Sequence, residues 1–474
     1  MPRAAERARG ERAVAFACGL LVSGAIAAVP ARASDGTIES ASPPARPSWT
    51  LTTLDLSLTH SRPLAGDAWV EEEARGRRMS PGTQGDLGAG LAYARGRWQA
   101  GLLWRGRWGE DLEAQGRFDE AFVLLRLAGI SARLGRAPIL WAPARYADLL
   151  VSAHARPLDH LRLTGAARRL PGIGGGGEAE TFVAYLDDAH RAIPHPLLWG
   201  MRARWSPIPE LSLEAQRTIL MGGAGRTRKL TAGDLWDIFI ARGEGTSGAA
   251  PGPEHFSARE TDQKFAWQGV VRMPQRTARA LRLREAEGFY IYAGEDRFAG
   301  LLPMAPARAW GLRVHPAAGW ALSFVRASTA CRENIWYRHK AYTSGYTYRG
   351  FGLGHPMGSD AKGWELGFFA RLGGGDFLAA RLARETRGHY NVARGIVPGG
   401  HWRWSASLSS ATGRARVTAE VGAATAWGGD LDGSRPAEGI ARVSVSLVRP
   451  AARPAERESL GWSRPVTGLA GPVP

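Results

Sequence analysis

The sequence predicts an all-β fold, a transmembrane antiparallel β-barrel of about 18 strands with long extracellular loops. Three observations predict it. Period-two alternation recurs along most of the chain. No apolar run beyond the first 33 residues is long enough for a helical membrane span. Short turns alternate with long loops.

Alternation comes first, because successive strand residues face opposite sides of a sheet. Trp199, Met201, Ala203 and Trp205 share one face, against Gly200, Arg202 and Arg204. Trp402, Trp404, Ala406 and Leu408 oppose His401, Arg403, Ser405 and Ser407. Ala441, Val443, Val445 and Leu447 oppose Arg442, Ser444 and Ser446, and similar pairs of faces run from Trp98 to Arg105 and from Arg414 to Val421. A soluble sandwich would turn the apolar face inward. A membrane barrel turns it to lipid and keeps a polar lumen. Arg on the polar face suits a wet, charge-lined lumen, and Trp near segment ends suits interfacial girdles.

Candidate strands lie near 51–59, 87–94, 97–105, 119–127, 129–136, 160–168, 179–186, 199–206, 210–218, 264–273, 279–293, 307–314, 319–328, 363–371, 376–386, 400–409, 414–424 and 439–448. Arg95-Gly96, Ser206 to Pro209, Gly373 to Gly375 and Ser410 to Gly413 read as tight turns. Long loops fall near 60–86, 137–159, 219–262 and 329–362. That rhythm is the one of short periplasmic turns and long extracellular loops. No repeat of 20–50 residues is present, which disfavours a propeller or solenoid.

The N-terminus sets the compartment. Arg3, Arg7, Arg9 and Arg12 precede an apolar stretch, Ala13 to Val29, and Ala31-Arg32-Ala33 forms an A-x-A site before Ser34. That order predicts a cleaved secretory signal peptide over 1–33. A Pro-rich linker over 34–48, the barrel over 49–448 and a C-terminal tail over 449–474 complete the organisation. Cys18 precedes the apolar run instead of following it, so a lipoprotein signal is disfavoured. The exported part then holds one cysteine, Cys331, which excludes an internal disulfide and a Cys-type zinc site.

Export also reinterprets the charge. Removing five Arg and two Glu with residues 1–33 lowers the net charge from +17 to about +14. Basicity often signals nucleic acid, but an exported chain does not meet it. The partners expected are outer-membrane lipids and an acidic polysaccharide. Neither a cofactor nor a metal is expected. Pro171 to Gly177 lacks the Lys-Ser/Thr and helix of a phosphate loop and reads as a flexible turn. Glu295 and Asp296, adjacent in a strand, point to opposite faces and form no acid/base pair. No Ser/His/Asp order, His-x-x-x-His pair or Gly-x-Ser-x-Gly elbow is present, so the chain is not expected to be an enzyme.

One loop is chemically distinct. From Cys331 to Lys362 it carries Arg332, Arg338, Lys340, Arg349 and Lys362 against Glu333 and Asp360, a balance of +3, interleaved with Tyr. Arg forks pair with uronate carboxylates, and aromatic faces stack on sugars. The same residues could instead pack and hydrogen-bond a loop folded over the barrel mouth.

Around this loop the sequence resembles the Wzi family of outer-membrane capsule assembly proteins. The resemblance rests on Tyr337-x-His339-x-x-Tyr342-x-x-Gly345-Tyr346, Gly354 and Gly358-x-Asp360. It continues in Leu211-Ser212-Leu213, Arg217-Thr218, Gly222-Gly223-x-Gly225-Arg226, Gly294-Glu295-Asp296 before Leu302-Pro303, and Trp141-x-Pro143 before Ala155-Arg156-Pro157-Leu158, in one order from about Gly85 to Val448. It implies an eighteen-stranded barrel that acts as a lectin and helps anchor capsular polysaccharide. Three departures stand out. Too few residues precede the first strand for the family's helical plug, no terminal aromatic ends the last strand, and Ala142 and Ala144 flank Pro143 where Gly is expected. On this reading a monomeric barrel binds exported acidic polysaccharide through Arg338, His339, Tyr342, Tyr346, Tyr348, Arg349 and His355. The alternative is a porin with an Arg-lined lumen for small anions.

Overall fold

A computed structural model describes residues 48–62, 75–77, 82–110, 112–225, 230–240, 259–295, 298–299, 302–303, 306–331, 336–390, 398–412, 415–428 and 438–446. The signal peptide over 1–33, the linker as far as residue 47 and the tail over 449–474 lie outside the described residues.

Eighteen antiparallel strands form one closed sheet. They are β1 (Ser48–Arg62), β2 (Gly82–Arg95), β3 (Trp98–Gly109), β4 (Leu112–Leu127), β5 (Ile130–Ala137), β6 (Leu158–Ala167), β7 (Gly176–Tyr185), β8 (Leu197–Ile208) and β9 (Leu211–Met221). Then follow β10 (Asp262–Arg272), β11 (Glu285–Glu295), β12 (Ala307–His315), β13 (Trp320–Ser328), β14 (Ala361–Gly373), β15 (Asp376–Arg387), β16 (Gly399–Thr412), β17 (Ala415–Gly428) and β18 (Glu438–Ser446). Each pairs with the next, and β1 pairs with β18 from Asp55↔Ser446 to Arg62↔Gly439. Closure removes the unpaired edges that a sheet in hydrocarbon cannot tolerate. Among the described residues no helix is long and apolar enough to cross a membrane.

All eighteen predicted segments are strands. β2 and β4 start at Gly82 and Leu112, five and seven residues ahead of the expected 87 and 119, and the one segment that starts several residues late is at 279–284. There Gln275–Ala280 coil into a short helix (α2 below) behind Pro274, and β11 begins at Glu285. Connections at one end are mostly short, such as 96–97, 128–129, 209–210 and 374–375, with longer ones at 168–175 and 273–284. At the other end lie 138–157, 186–196, 222–261 and 329–360, with one short exception at 110–111. By the usual barrel rhythm the long-loop end is extracellular.

The faces follow the alternation. Leu56, Leu58, Leu102, Trp404, Leu408, Val421 and Val443 are exposed on the outer wall, while Arg202, Arg403 and Glu385 are buried on the inner one. The lumen is charged but not a row of unpaired cations. Arg202 meets Glu178, Glu180 and Glu214. Arg162 meets Glu180 at 2.5 Å and Arg204 meets Glu214 at 2.7 Å. Arg107–Asp86, Arg117–Asp119, Arg272–Glu287 and Arg403–Glu385 repeat the pattern around the wall. The inward Arg rows are therefore largely neutralised across neighbouring strands.

Two short helices, α1 (Ala232–Phe239) and α2 (Gln275–Ala280), were not foreseen from periodicity. Thr231 caps α1, accepting from the Asp234 N–H while the Asp234 carboxylate accepts from the Thr231 N–H. Arg217 donates to the carbonyls of Phe239 and Ile238 at its other end, at 2.6 and 3.0 Å. The helix lies on the outside of the barrel, with Ile238 packed on Met201, Ile219 and Met221, and Phe239 stacked on Trp199. So Met201, which the alternation assigns to the lipid face, is on that face but covered by protein.

Candidate functional site

The extracellular end of the lumen is filled by the chain's own loops. Segments 138–157 and 336–360 pack against inward residues of the wall, among them Phe182, Leu198, Phe289, Ile291 and Val325. Trp141 leads the first segment in. Its indole donates to Glu180 Oε1 at 2.8 Å and its ring meets Phe182 at 5.5 Å. Tyr146, five residues further, donates its hydroxyl to Glu385 at 3.0 Å on the opposite side of the barrel. One short segment thus ties β7 to β15 across the lumen.

The second segment is built around Tyr337. This residue adopts φ +63°, a left-handed conformation rare for side chains larger than Gly. Its N–H donates to Glu295 Oε1 at 2.5 Å. Its hydroxyl donates to the Leu149 carbonyl and accepts from the His355 N–H, both at 2.6 Å. Its ring stacks on Tyr346, 5.9 Å away and nearly parallel. Below that stack Lys264 sits 4.3 Å over the Tyr346 ring and 3.0 Å from Glu295. Arg191 clamps the far side, donating to the Gly345 carbonyl at 2.8 Å and to Thr347.

The seven residues expected at the ligand fall into two groups. Tyr342, Tyr346, Tyr348 and His355 are each about 1% exposed. Tyr342 donates to the Gly222 carbonyl at 3.1 Å, and the His355 ring packs edge-on to Tyr146 with Nε2 3.0 Å from the Tyr146 carbonyl. His339 is mostly covered; its Nδ1 accepts from the N–H of Ala341 and Tyr342, and its Nε2 lies 3.7 Å from Glu260. These five shape the loop. Burial pushes the hydroxyls of Tyr337, Tyr346 and Tyr348 above the ordinary phenol range. Such a hydroxyl supports the fold fully below pH about 10, and that support is lost as pH rises towards the raised value.

Arg338 and Arg349 reach solvent. Lys340, which the loop's charge balance counted but no expected contact included, is half exposed and 3.0 Å from Glu260. Arg349 shows what its fork can do: its Nη2 and Nε donate to the Asp187 carboxylate and carbonyl at 2.9 and 3.0 Å. Both partners are roughly half exposed, at 44% and 56%. Exposed pairs of this kind contribute about 0–1 kcal/mol, so Asp187 holds the Arg349 fork only weakly. Arg191 and Tyr337, the residues that hold the loop, were not singled out by composition. Arg191 meets Gly345 and Thr347 more than 150 residues away, and the Tyr337 hydroxyl meets the Leu149 carbonyl 188 residues away, pairings beyond any local pattern.

These features define an outer-membrane β-barrel whose extracellular loops fold back into its mouth and present cations on top. More particularly, the chain belongs to the capsule assembly protein Wzi family, whose profile matches residues 71–434. Among solved structures, the chain is similar to Wzi of Escherichia coli, at 17% identity over 83% of this chain and 84% of that one, with a TM-score of 0.63. That protein is described as a carbohydrate-binding β-barrel involved in group 1 capsule assembly. This chain is also similar to OccK11 (OpdR) of Pseudomonas aeruginosa, at 11% identity over 85% of this chain and 95% of that one, with a TM-score of 0.47. OprD of the same species matches at 12% identity over 83% and 92%, with a TM-score of 0.44. Comparison with curated proteins finds no match.

Proposed function

We propose that this barrel binds exported acidic polysaccharide, capsular or extracellular, and helps attach it at the cell surface. The carrying observation is that Arg338, Lys340 and Arg349 reach the surface of a loop whose aromatic residues are locked into the barrel mouth. Family membership and the carbohydrate binding described for the Escherichia coli relative support the same reading. Arg338 and Arg349 offer forks to uronate carboxylates. Tyr342, Tyr346, Tyr348, His339 and His355 act by holding those forks in place. The protein works without catalysis, as a monomer exported by a cleaved signal peptide over residues 1–33.

Arg338→Ala/Arg349→Ala is expected to lower binding of a polyuronate by about tenfold or more, at about 1.5–3 kcal/mol for each charged hydrogen bond lost. The barrel's resistance to heat in detergent should be unchanged. Undiminished glycan binding and surface retention in the double variant would remove these two residues from the site. The porin reading is separable. Paired lumen arginines and a loop-filled mouth favour a silent channel, so purified protein in a planar bilayer is expected to show no steady conductance. Steady anion-selective current would restore the porin.

A further inference from the structure

Helix α1 has an unusual position for a helix of a membrane barrel. Its inner side occupies wall that would otherwise face lipid: Met201, Ile219 and Met221 under Ile238, with Leu197 and Trp199 beside them. Its far side is exposed and carries no charge. Ala232, Gly233, Leu235 and Trp236 are the residues open to the surroundings, and Trp236 is 57% exposed. Both carboxylates of the helix are turned away from that side and share one cation. Asp234 is buried in the cap, and Arg259 meets Asp234 at 3.1 Å and Asp237 at 2.8 Å.

A surface helix in water keeps a polar face outward, whereas one apolar on both sides is embedded. Here one side is embedded in the barrel wall. The other stands over the outer face of β8 and β9, whose exposed residues nearer the short-turn end, such as Leu213, face lipid. A Trp at such a place suits the boundary between acyl chains and head groups, with its ring in the apolar layer and its N–H towards the polar one. The covered strand ends, Leu197 on β8 and Met221 on β9, are at the long-loop end of the barrel.

We propose that α1 is an interfacial anchor, with the face of Leu235 and Trp236 buried among the acyl chains of outer-leaflet lipid. Lipid is the committed occupant because the helix extends a surface that is already lipid-facing. The anchor is also wired to the loop above. Glu260, next to the Arg259 that pairs with both carboxylates of α1, holds Lys340, and Gly222 at the start of the same connection accepts from Tyr342. Lipid contact at α1 therefore steadies the base of that loop. This inference does not depend on what the loop binds.

The test places a polarity-sensitive fluorophore on Trp236→Cys in full-length protein reconstituted into phosphatidylglycerol/phosphatidylethanolamine vesicles, with Thr343→Cys on the exposed loop as reference. Folding of both is checked by resistance of the barrel to SDS at room temperature. The expected result is blue-shifted emission at position 236, strong quenching by nitroxide-labelled lipid, and iodide quenching several-fold weaker than at 343. A water-like spectrum at 236 overturns the proposal. So does blue-shifted emission without lipid quenching, which would mean that protein, a second copy included, covers the helix. The same measurement at Ala232→Cys guards against a local effect of removing the indole and must give the same ordering.

Discussion

Replacing Glu180 with alanine is expected to destabilise the barrel by about 3–5 kcal/mol, the range for breaking a buried ion pair from one side. Glu180 is wholly buried and accepts from three directions: Arg162 at 2.5 Å, Arg202 at 3.1 Å and the Trp141 indole at 2.8 Å. Alanine leaves two guanidinium groups with one carboxylate fewer and a buried N–H with none. Arg202 retains Glu178 and Glu214, which limits its loss, whereas the described ion pairs of Arg162 contain only Glu180. Glu180→Gln keeps acceptors for Trp141 and should lose less. Glu420→Ala is the contrasting case. Its partner Arg442 is 3.4 Å away and both are over a quarter exposed, so about 0–1 kcal/mol is expected. Urea unfolding in phospholipid vesicles, followed by the folded-band shift on gels, ranks the three. Equal midpoints for Glu180→Ala and Glu420→Ala would mean that the lumen is wet enough to screen every pair alike.

That contrast also marks what a sequence can reveal about such a barrel. The two-residue period is a local consequence of strand geometry, so Trp404 and Leu408 outside and Arg403 inside were legible from their own neighbours. Turn positions were legible to within about three residues, since strand continues through Ile208 and Thr412 where turns were expected from Ser206 and Ser410. The sign of the lumen was legible only in part. Arg202 was visible as an inward cation, but Glu178, Glu180 and Glu214 become its partners only through the register of β7, β8 and β9. The loop was harder still. Tyr346 and Tyr348 in a basic segment read equally well as sugar platforms and as packing residues, and burial decided for packing. The helix α1 was missed because eight residues give too short a periodic signal, and because its inner face answers to Met201 and Ile219 on the two preceding strands and not to residues within the helix.

Gly354→Ala is expected to unseat the loop, and with it polysaccharide retention, without touching Arg338 or Arg349. A Cβ at 354 would stand 2.3 Å from the Tyr337 hydroxyl oxygen and 2.5 Å from its ring. Tyr337 cannot simply swing aside, because that hydroxyl is held by the Leu149 carbonyl and the His355 N–H. Either the backbone at 354 moves, pulling its carbonyl from the Ser152 hydroxyl at 2.7 Å, or Tyr337 leaves both partners and its stack on Tyr346. Overpacking of this kind costs about 1–3 kcal/mol, and the hydrogen bonds lost add about 0.5–1.5 kcal/mol each. Gly352→Ala is the control two residues away, where the nearest atoms lie at ordinary contact distance, 3.8 Å or more. Limited proteolysis of the 336–360 segment, planar-bilayer conductance and glycan binding should change together in Gly354→Ala and in none of the three for Gly352→Ala. Because the barrel strands are untouched, resistance to unfolding by SDS should be the same in both. Loss of glycan binding with the loop still protease-resistant would instead place the ligand on the 354 backbone itself and not on the cations above it.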